Sequence, residues 1–368
     1  MGEALVTKAE RRMLGRLRLR SQLVSPTRPE LRKPVDVVRW MTAMQAQDFP
    51  GAKWAVGLRL PGSTDSTIEA ALADGSVVRS WPLRGTLHFV AAEDLPWLLA
   101  LSRERMIKRS ASTLSAEGLT PAVLGRADDA ARAALTGGGV LTRDELYELL
   151  AESGVSTAGQ ARYHALWYLC QTGTLCMGPP RGKSQTFVLL DEWVKHPRRL
   201  GRAEALAELA LRYFLSHGPA TERDFAWWSS LTLTDAREGL AGVASRLQKV
   251  QVDGDDYYLS PDLPDSPPLA EPRMLPGFDE YLLGYTDRSV ALTDEHSPLV
   301  FPGRNGMFLP TMVVDGAVAG IWKRMIAARE VTFTLQPFTP LPAGTTAALG
   351  AAAGEYAAFL GREARVPA

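Results

Sequence analysis

One order of elements occurs twice in this chain, and few folds can accommodate it. Residues 120–193 read as helix, helix, helix, hairpin. Pro121 opens a helix that runs to Leu135, and the glycines at 137–139 stop it. Thr142 caps the next one, because Thr142-Arg143-Asp144-Glu145 has capping-box spacing and Leu146, Leu149 and Leu150 follow on one face. A third helix covers 159–171, with Arg162, His164 and Tyr168 beside the apolar Leu166, Trp167 and Leu169. Strands at 174–177 and 185–190 then flank a basic turn, Gly178-Pro179-Pro180-Arg181-Gly182-Lys183. Three helices closed by a basic hairpin predict a winged helix.

The second copy spans 202–260. It has a helix to His217, a turn at Gly218-Pro219, and Thr221-Glu222-Arg223-Asp224 at the start of the next helix. Thr232 or Thr234 begins the third, and 247–252 pairs with 257–260 across Asp253-Gly254-Asp255. Two copies in one order are an internal repeat. The N-terminal region fits a third, less regular copy, with helices at 10–19, 35–44 and 66–73 and strands at 77–80 and 86–90. Residues 262–276 turn to Pro, Asp and Ser and read as a linker. Beyond it, strand-like runs at 281–285, 290–293, 307–314 and 331–335 predict a small β-rich, barrel-like unit, closed by an Ala-rich helix at 345–362. The expected fold class is α+β, mainly α, with domains at 1–118, 119–197, 198–262 and 263–368.

Composition narrows the partners. The chain has 368 residues, of which 46% are hydrophobic, so it can bury a sizeable core. No apolar run reaches membrane-spanning length and the N-terminus lacks the secretory pattern, so a cytoplasmic protein without membrane contacts is expected. Cys170 and Cys176 fall on a helix and the strand after it, with no Cys or His cluster to complete a metal site. His88, His164, His196, His217 and His296 are scattered, and no two have helical metal-pair spacing. Neither a metal nor a cofactor is expected. The net charge is zero, which argues against strong phosphate binding, but its distribution is uneven. Lys8, Arg11, Arg12, Arg16, Arg18, Arg20, Arg28, Arg32 and Lys33 crowd the first segment. Further clusters stand at Arg103, Arg105, Lys108 and Arg109, and at Lys195, Arg198, Arg199 and Arg202. Such clusters read either as solvated helix faces or, three in one neutral chain, as a polarised surface for nucleic acid.

Met44-Gln45-Ala46-Gln47-Asp48-Phe49-Pro50 follows the helix at 35–44, and Pro50 pushes Phe49 out of the α region, so that helix ends nearby. Residues two apart share a face only on an extended segment, so the helix end can direct both glutamine amides one way. From spacing alone the pair reads sooner as an exposed polar helix terminus, since two glutamines form no self-evident catalytic set.

Three stretches change that balance. They are Gln45-Ala46-Gln47-Asp48, then Arg79-Ser80-Trp81-Pro82-Leu83-Arg84-Gly85-Thr86-Leu87-His88, and finally Phe278-Asp279-Glu280-Tyr281-Leu282-Leu283-Gly284-Tyr285-Thr286-Asp287-Arg288. Together they resemble the marker stretches of the AlkZ family of winged-helix DNA glycosylases, over nearly the whole chain. The resemblance implies a C-shaped assembly of three winged helices with a β-rich C-terminal unit. It also implies monofunctional removal of N7-alkylguanine and related lesions from double-stranded DNA by a monomer. The family's Gln-x-Gln signature falls on Gln45, Ala46 and Gln47, and a sister branch carries Asp at the last position. Gln47 therefore points to the branch that confers self-resistance to DNA-alkylating natural products by unhooking interstrand crosslinks.

The chemistry suits that substrate. An amide neither gives nor takes a proton near neutrality, so glutamines supply no ordinary general acid or base. They can hold a water where the base already leaves as a cation and the barrier lies in a developing oxocarbenium ion. Unmodified guanine needs protonation first, and the missing acid thus becomes a specificity device.

Asp48 can assist the water or serve the helix end. Arg84, Thr86 and His88 alternate with apolar residues and are expected on one strand face, Arg84 meeting phosphate and His88 either doing so or lying buried and hydrogen-bonded. Arg288, Arg304, Asn305 and Lys323 complete the expected DNA-binding set. The turn at 303–306 reads as an ordinary Asn-Gly loop or, by the resemblance, as a probe of the minor groove. Asp279 and Glu280, as strand neighbours facing opposite ways, are excluded as a glycosidase dyad, and Tyr281 and Tyr285 are expected in the core. The competing function is a non-enzymatic winged-helix regulator. It is disfavoured because the recognition helix of the 120–193 module buries Trp167 and offers few base-reading side chains.

Overall fold

The computed structural model describes residues 7–25, 28, 30–303 and 306–367. The chain divides into two compact units, one built from residues up to Ile68 together with those from Leu206 onward, the other from Glu69–Ala205. In chain order the first unit opens with α1 (Lys8–Ser21), capped by Thr7 and Glu10 in a capping box, and α2 (Pro34–Met41). A two-residue strand β1 (Met44–Gln45), α3 (Phe49–Leu58) and the start of α4 (Asp65–Ala73) follow.

Two expectations in this region need correction. The helix predicted at 35–44 stops at Met41, because Thr42 takes a left-handed φ of 68° and turns the chain out of the helix. Phe49 is helical despite preceding Pro50, which sits in the first turn of α3, where a missing N–H costs no helical bond.

The second unit holds the hairpin β2 (Val77–Leu83) and β3 (Thr86–Ala91), then α5 (Leu95–Ala116), a 22-residue helix that sequence reading missed. Next come α6 (Pro121–Leu135), β4 (Leu141–Thr142), α7 (Arg143–Glu152) and α8 (Ala161–Gln171). β5 (Leu175–Met177), β6 (Thr186–Leu189) and the short α9 (Leu190–Trp193) complete it. The elements expected at 120–193 are there, with Thr142 and Glu145 making the capping box and β4, β6 and β5 pairing antiparallel in that order. Trp81, Leu146, Leu150, Leu166, Trp167 and Phe187 share one buried cluster of this unit. Cys170 and Cys176 lie buried on α8 and β5 as free thiols, and burial pushes both above the usual thiol range.

The first unit resumes within α10 (Arg202–His217) and continues with α11 (Glu222–Ser229), capped by Thr221 and Asp224, and α12 (Leu233–Ala241), capped by Thr232. β7 (Gln248–Val252) and β8 (Asp255–Leu259) form the hairpin expected there, but its turn is tighter than Asp253-Gly254-Asp255: only Asp253 and Gly254, at φ of 52° and 81°, lie between the strands. The predicted linker carries a strand, β9 (Arg273–Leu275). The run at 281–285 is not a strand. It forms α13 (Glu280–Leu283), nucleated by Asp279, which caps it by accepting the Tyr281 N–H. The run at 290–293 is a turn followed by α14 (Ser297–Val300). β10 (Thr311–Val314), β11 (Ala317–Ile326), β12 (Glu330–Pro337), the closing helix α15 (Thr345–Phe359) and β13 (Glu363–Arg365) follow. Their five-stranded sheet runs β13-β12-β11-β10-β9, antiparallel except for the β12–β13 edge. Trp54 and Trp322 donate their indole N–H groups to the carbonyls of Met274 and Leu275, so β9 satisfies two buried aromatics at once.

The arginines of the first segment are largely consumed internally. α1 crosses the β10–β11 turn so closely that a Cβ on Gly15 would lie 2.5 Å from the Gly316 carbonyl oxygen. Arg16 grips Asp315 with two bonds of 2.5 and 2.7 Å, and Arg12 adds a third at 3.0 Å. Burial pushes the Asp315 carboxyl up, but these bonds outweigh it and hold the group below the usual carboxylate range. Their stabilisation is therefore present above that range and lost as pH falls through it. Arg18 is buried, donates to the Pro219 carbonyl and lies over the Tyr285 ring at 3.6 Å. The basic stretch thus corrects the expectation of a phosphate-facing surface here: much of it holds the unit together. On α5, by contrast, Arg103, Arg105, Lys108 and Arg109 are all exposed.

Candidate active site

The left-handed turn at Thr42 leads directly into the extended Met44–Gln45 segment. From there the chain passes through Ala46, which is fully buried, to Gln47, which is exposed, and Asp48, which precedes α3. Gln45 ends the strand and Gln47 lies in the bend that follows, and Gln45 Nε2 donates to Gln47 Oε1 at 2.6 Å, so the amides meet. Gln45 is 8% exposed, leaving one amide sheltered and the other at the surface. Asp48 makes no side-chain cap bond, but its carboxylate lies over the first turn of α3, where a Cβ on Gly51 would meet Oδ2 at 2.4 Å. Lys53 beyond it is buried, bonded to Asp65 at 2.7 Å, with the Phe49 ring 5.1 Å from its ammonium.

The acidic neighbours Asp279 and Glu280 also belong to this unit, at the start of α13 rather than on a strand. Neither works as half of a dyad, because each is buried against its own partners. Asp279 receives both arms of Arg59 at 2.8 Å. One oxygen of Glu280 accepts the main-chain N–H of Gln45 at 2.9 Å, and the other accepts the Trp228 indole N–H at 3.0 Å. His217 Nε2 lies 3.6 Å from that second oxygen. Sequence reading missed Glu280 as part of the glutamine motif. The only available signal was its position inside the third marker stretch.

In the other unit, Arg84 is corrected from strand to turn: with Gly85 it forms the β2–β3 loop at positive φ of 54° and 68°. His88 is fully buried. Its Nδ1 must carry the proton, since it faces the Thr86 carbonyl at 2.7 Å, and Nε2 then accepts from Arg84 at 3.0 Å. His88 thus orients Arg84 and offers a phosphate no surface of its own. Arg288 is half-buried, donates to the Leu282 carbonyl at 2.9 Å, and sits 5.1, 5.5 and 5.3 Å from the rings of Trp227, Phe301 and Phe308. Lys323 is exposed on β11, opposite Thr334. Towards the tip of the β11–β12 hairpin, Met325 and Ile326 are exposed apolar residues unforeseen from sequence. Arg304 and Asn305 lie outside the described residues. Among the described residues no cluster of His, Cys, Asp or Glu could hold a metal ion, and no helix is long and apolar enough to cross a membrane.

Comparison with known proteins gives the family. The family model "DNA glycosylase AlkZ-like" matches residues 38–359. The chain is 30% identical over 351 residues to a Streptomyces sahachiroi protein named "Interstrand DNA cross-link repair glycosylase", a match covering 90% of this chain and 92% of that one. The solved structure of the Streptomyces sahachiroi DNA glycosylase AlkZ superposes with a TM-score of 0.78 at 27% identity, covering 97% of this chain and 99% of that one. The chain therefore belongs to the AlkZ-like DNA glycosylases, enzymes that cleave N-glycosyl bonds.

Proposed function

We propose that this glycosylase hydrolyses the N-glycosidic bond of cationic N7-alkylguanine lesions in double-stranded DNA, bulky adducts and interstrand crosslinks included. In this reading it acts as a cytoplasmic, nucleoid-associated monomer that protects its host against a DNA-alkylating natural product. Its residues at 1–118, 119–197 and 198–262 form three winged-helix units, and 263–368 a β-rich C-terminal unit. The observation that carries the reading is the Gln45–Gln47 amide contact of 2.6 Å where the chain leaves β1. Two amides so joined can hold a water by carbonyl acceptance and N–H donation while supplying no acid, which suits a base that already leaves as a cation. The crosslink-repair name of the Streptomyces relative supports the bulky end of this range. The deciding experiment is incubation with a duplex holding one N7-alkylguanine, followed by alkaline cleavage of abasic sites. A strand break at the lesion and not at guanine is expected, and an intact strand would overturn the N7-alkylguanine assignment.

Two further outcomes follow. The single-turnover rate should be nearly flat from about pH 6 to 9, because no group of the proposed pair titrates there. It should also be insensitive to chelators. Asp48→Asn should share the profile and the rate, whereas an inactive but folded Asp48→Asn would make Asp48 the general base. Lesion-free duplex should bind weakly, with log K falling by about 0.9 per phosphate contacted for each tenfold rise in salt. Lys108→Ala with Arg109→Ala, both exposed on α5, should reduce that slope by roughly 1 to 2, measured by fluorescence anisotropy. An unchanged slope would exclude that helix from the interface.

A further inference from the structure

We propose that Glu280 is a positioning residue for base excision, setting where the Gln45 and Gln47 amides stand. This rests on the reading of those two glutamines as the water-holding pair. A carboxylate only 2% exposed has been stripped of water and is tolerated only where donors fill its oxygens. Here the donors are specific. Gln45 N–H fills one oxygen and the Trp228 indole N–H fills the other, at 2.9 and 3.0 Å.

The far side of the carboxylate is itself held. His217, 3.6 Å from the second oxygen, stacks on the Tyr213 ring at 4.9 Å and 12°, with Nδ1 2.8 Å from the Ser216 hydroxyl. The direction in which Glu280 offers its first oxygen is therefore fixed by α10, α11 and α13 together, not by the glutamine segment.

That first oxygen grips main chain, and this is why the contact bears on the reaction. Gln45 ends β1 and Gln47 lies in the bend after it, so the two amides meet only while the chain leaves the strand along its present course. Rotation about the Gln45 backbone would part amides that now meet at 2.6 Å. Fully buried Ala46 leaves the segment no room to compensate on the other side. A water aimed at a sugar carbon loses on the order of a hundredfold in rate for a misplacement of about 1 Å. Glu280 touches neither water nor base in this scheme. It acts through Gln45.

Glu280→Gln tests this, because the amide keeps the shape and one acceptor but can satisfy only one of the two donors. On a duplex carrying N7-methylguanine, the single-turnover rate should fall about 10- to 100-fold, the effect of weakening a hydrogen bond to a charged group. The dissociation constant for that duplex should stay within about twofold. In the Gln45→Ala background the same change should cost less than about threefold, since one of the two amides it positions is gone and the other is useful only beside it. A wild-type rate for Glu280→Gln overturns the proposal, and so does a full multiplicative loss in the Gln45→Ala background. A wild-type rate for Gln45→Ala alone is a different failure, that of the glutamine reading. If Glu280→Gln gives no folded protein by far-UV circular dichroism, Trp228→Phe carries the test, removing only the donor on the far oxygen. Its expected loss is about threefold, again muted beside Gln45→Ala, and an unchanged rate overturns the proposal.

Discussion

Alanine at Gln45 or Gln47 should lower single-turnover excision of an N7-alkylguanine duplex by about 10²- to 10³-fold, the usual effect of deleting one preorganised polar group around a developing charge. DNA affinity should change by less than about twofold, because the amides act on the water and not on the phosphates. Folding should be spared for a structural reason. The bond from Gln45 to Glu280 is made by the main-chain N–H and survives truncation of the side chain, and Gln47 is exposed. The two losses should not multiply. Each amide is useful only in the place its partner defines, so the double variant should be little slower than the worse single one. Gel-resolved single-turnover kinetics at saturating enzyme measure this directly, and full activity in the double variant would falsify the assignment.

The contact between Gln45 and Gln47 was legible because the two residues that make it are near neighbours. A helix end, two residues at a spacing of two and an apolar residue between them are all visible within a few positions. The helices at Pro121–Leu135, Arg143–Glu152 and Glu222–Ser229 were legible for the same reason, each announced by Pro or by a threonine three residues ahead of an acid. What failed was non-local or ambiguous. Residues 281–285 are uniformly apolar, and so short a run does not distinguish strand from buried helix. The capping side chain of Asp279 decided for the helix. α5 was hidden because its first two turns are apolar on all sides and its later turns charged, so no single stripe runs its length. The arginines of α1 read as a nucleic-acid face because charge in sequence does not reveal its partner. Arg16 meets Asp315 across 299 residues, as Glu280 meets Gln45 across 235. The contact of Glu280 with Gln45 depends on that long-range pairing, and its place inside the third marker stretch was the only local sign of it.

Removal of the Asp279 carboxylate should produce the largest loss of stability. Arg59 and Asp279 have side chains 0% and 3% exposed and face each other with two bonds of 2.8 Å. The guanidinium also donates to the carbonyls of Gln22 and Ala55, so it ties α1, α3 and the start of α13 at one point. Two opposing costs meet here. Burying the ions is expensive and offsets most of their attraction, so the intact pair contributes modestly to net stability. Breaking it is another matter, because Asp279→Ala leaves a guanidinium in a dry interior with half its partners gone. That should cost about 3–5 kcal/mol, read as a shift of the urea midpoint at unchanged slope. Arg59→Ala should cost a similar amount for the mirror reason, with a lone buried carboxylate in place of a lone cation. The discriminating measurement is the double variant Arg59→Ala with Asp279→Ala. If uncompensated charge is the cause, removing both partners should cost clearly less than the sum of the single losses, by about 2 kcal/mol or more. If lost packing is the cause, the two losses should add. Additive losses would move the weight of this junction from the ion pair to the apolar surfaces it joins.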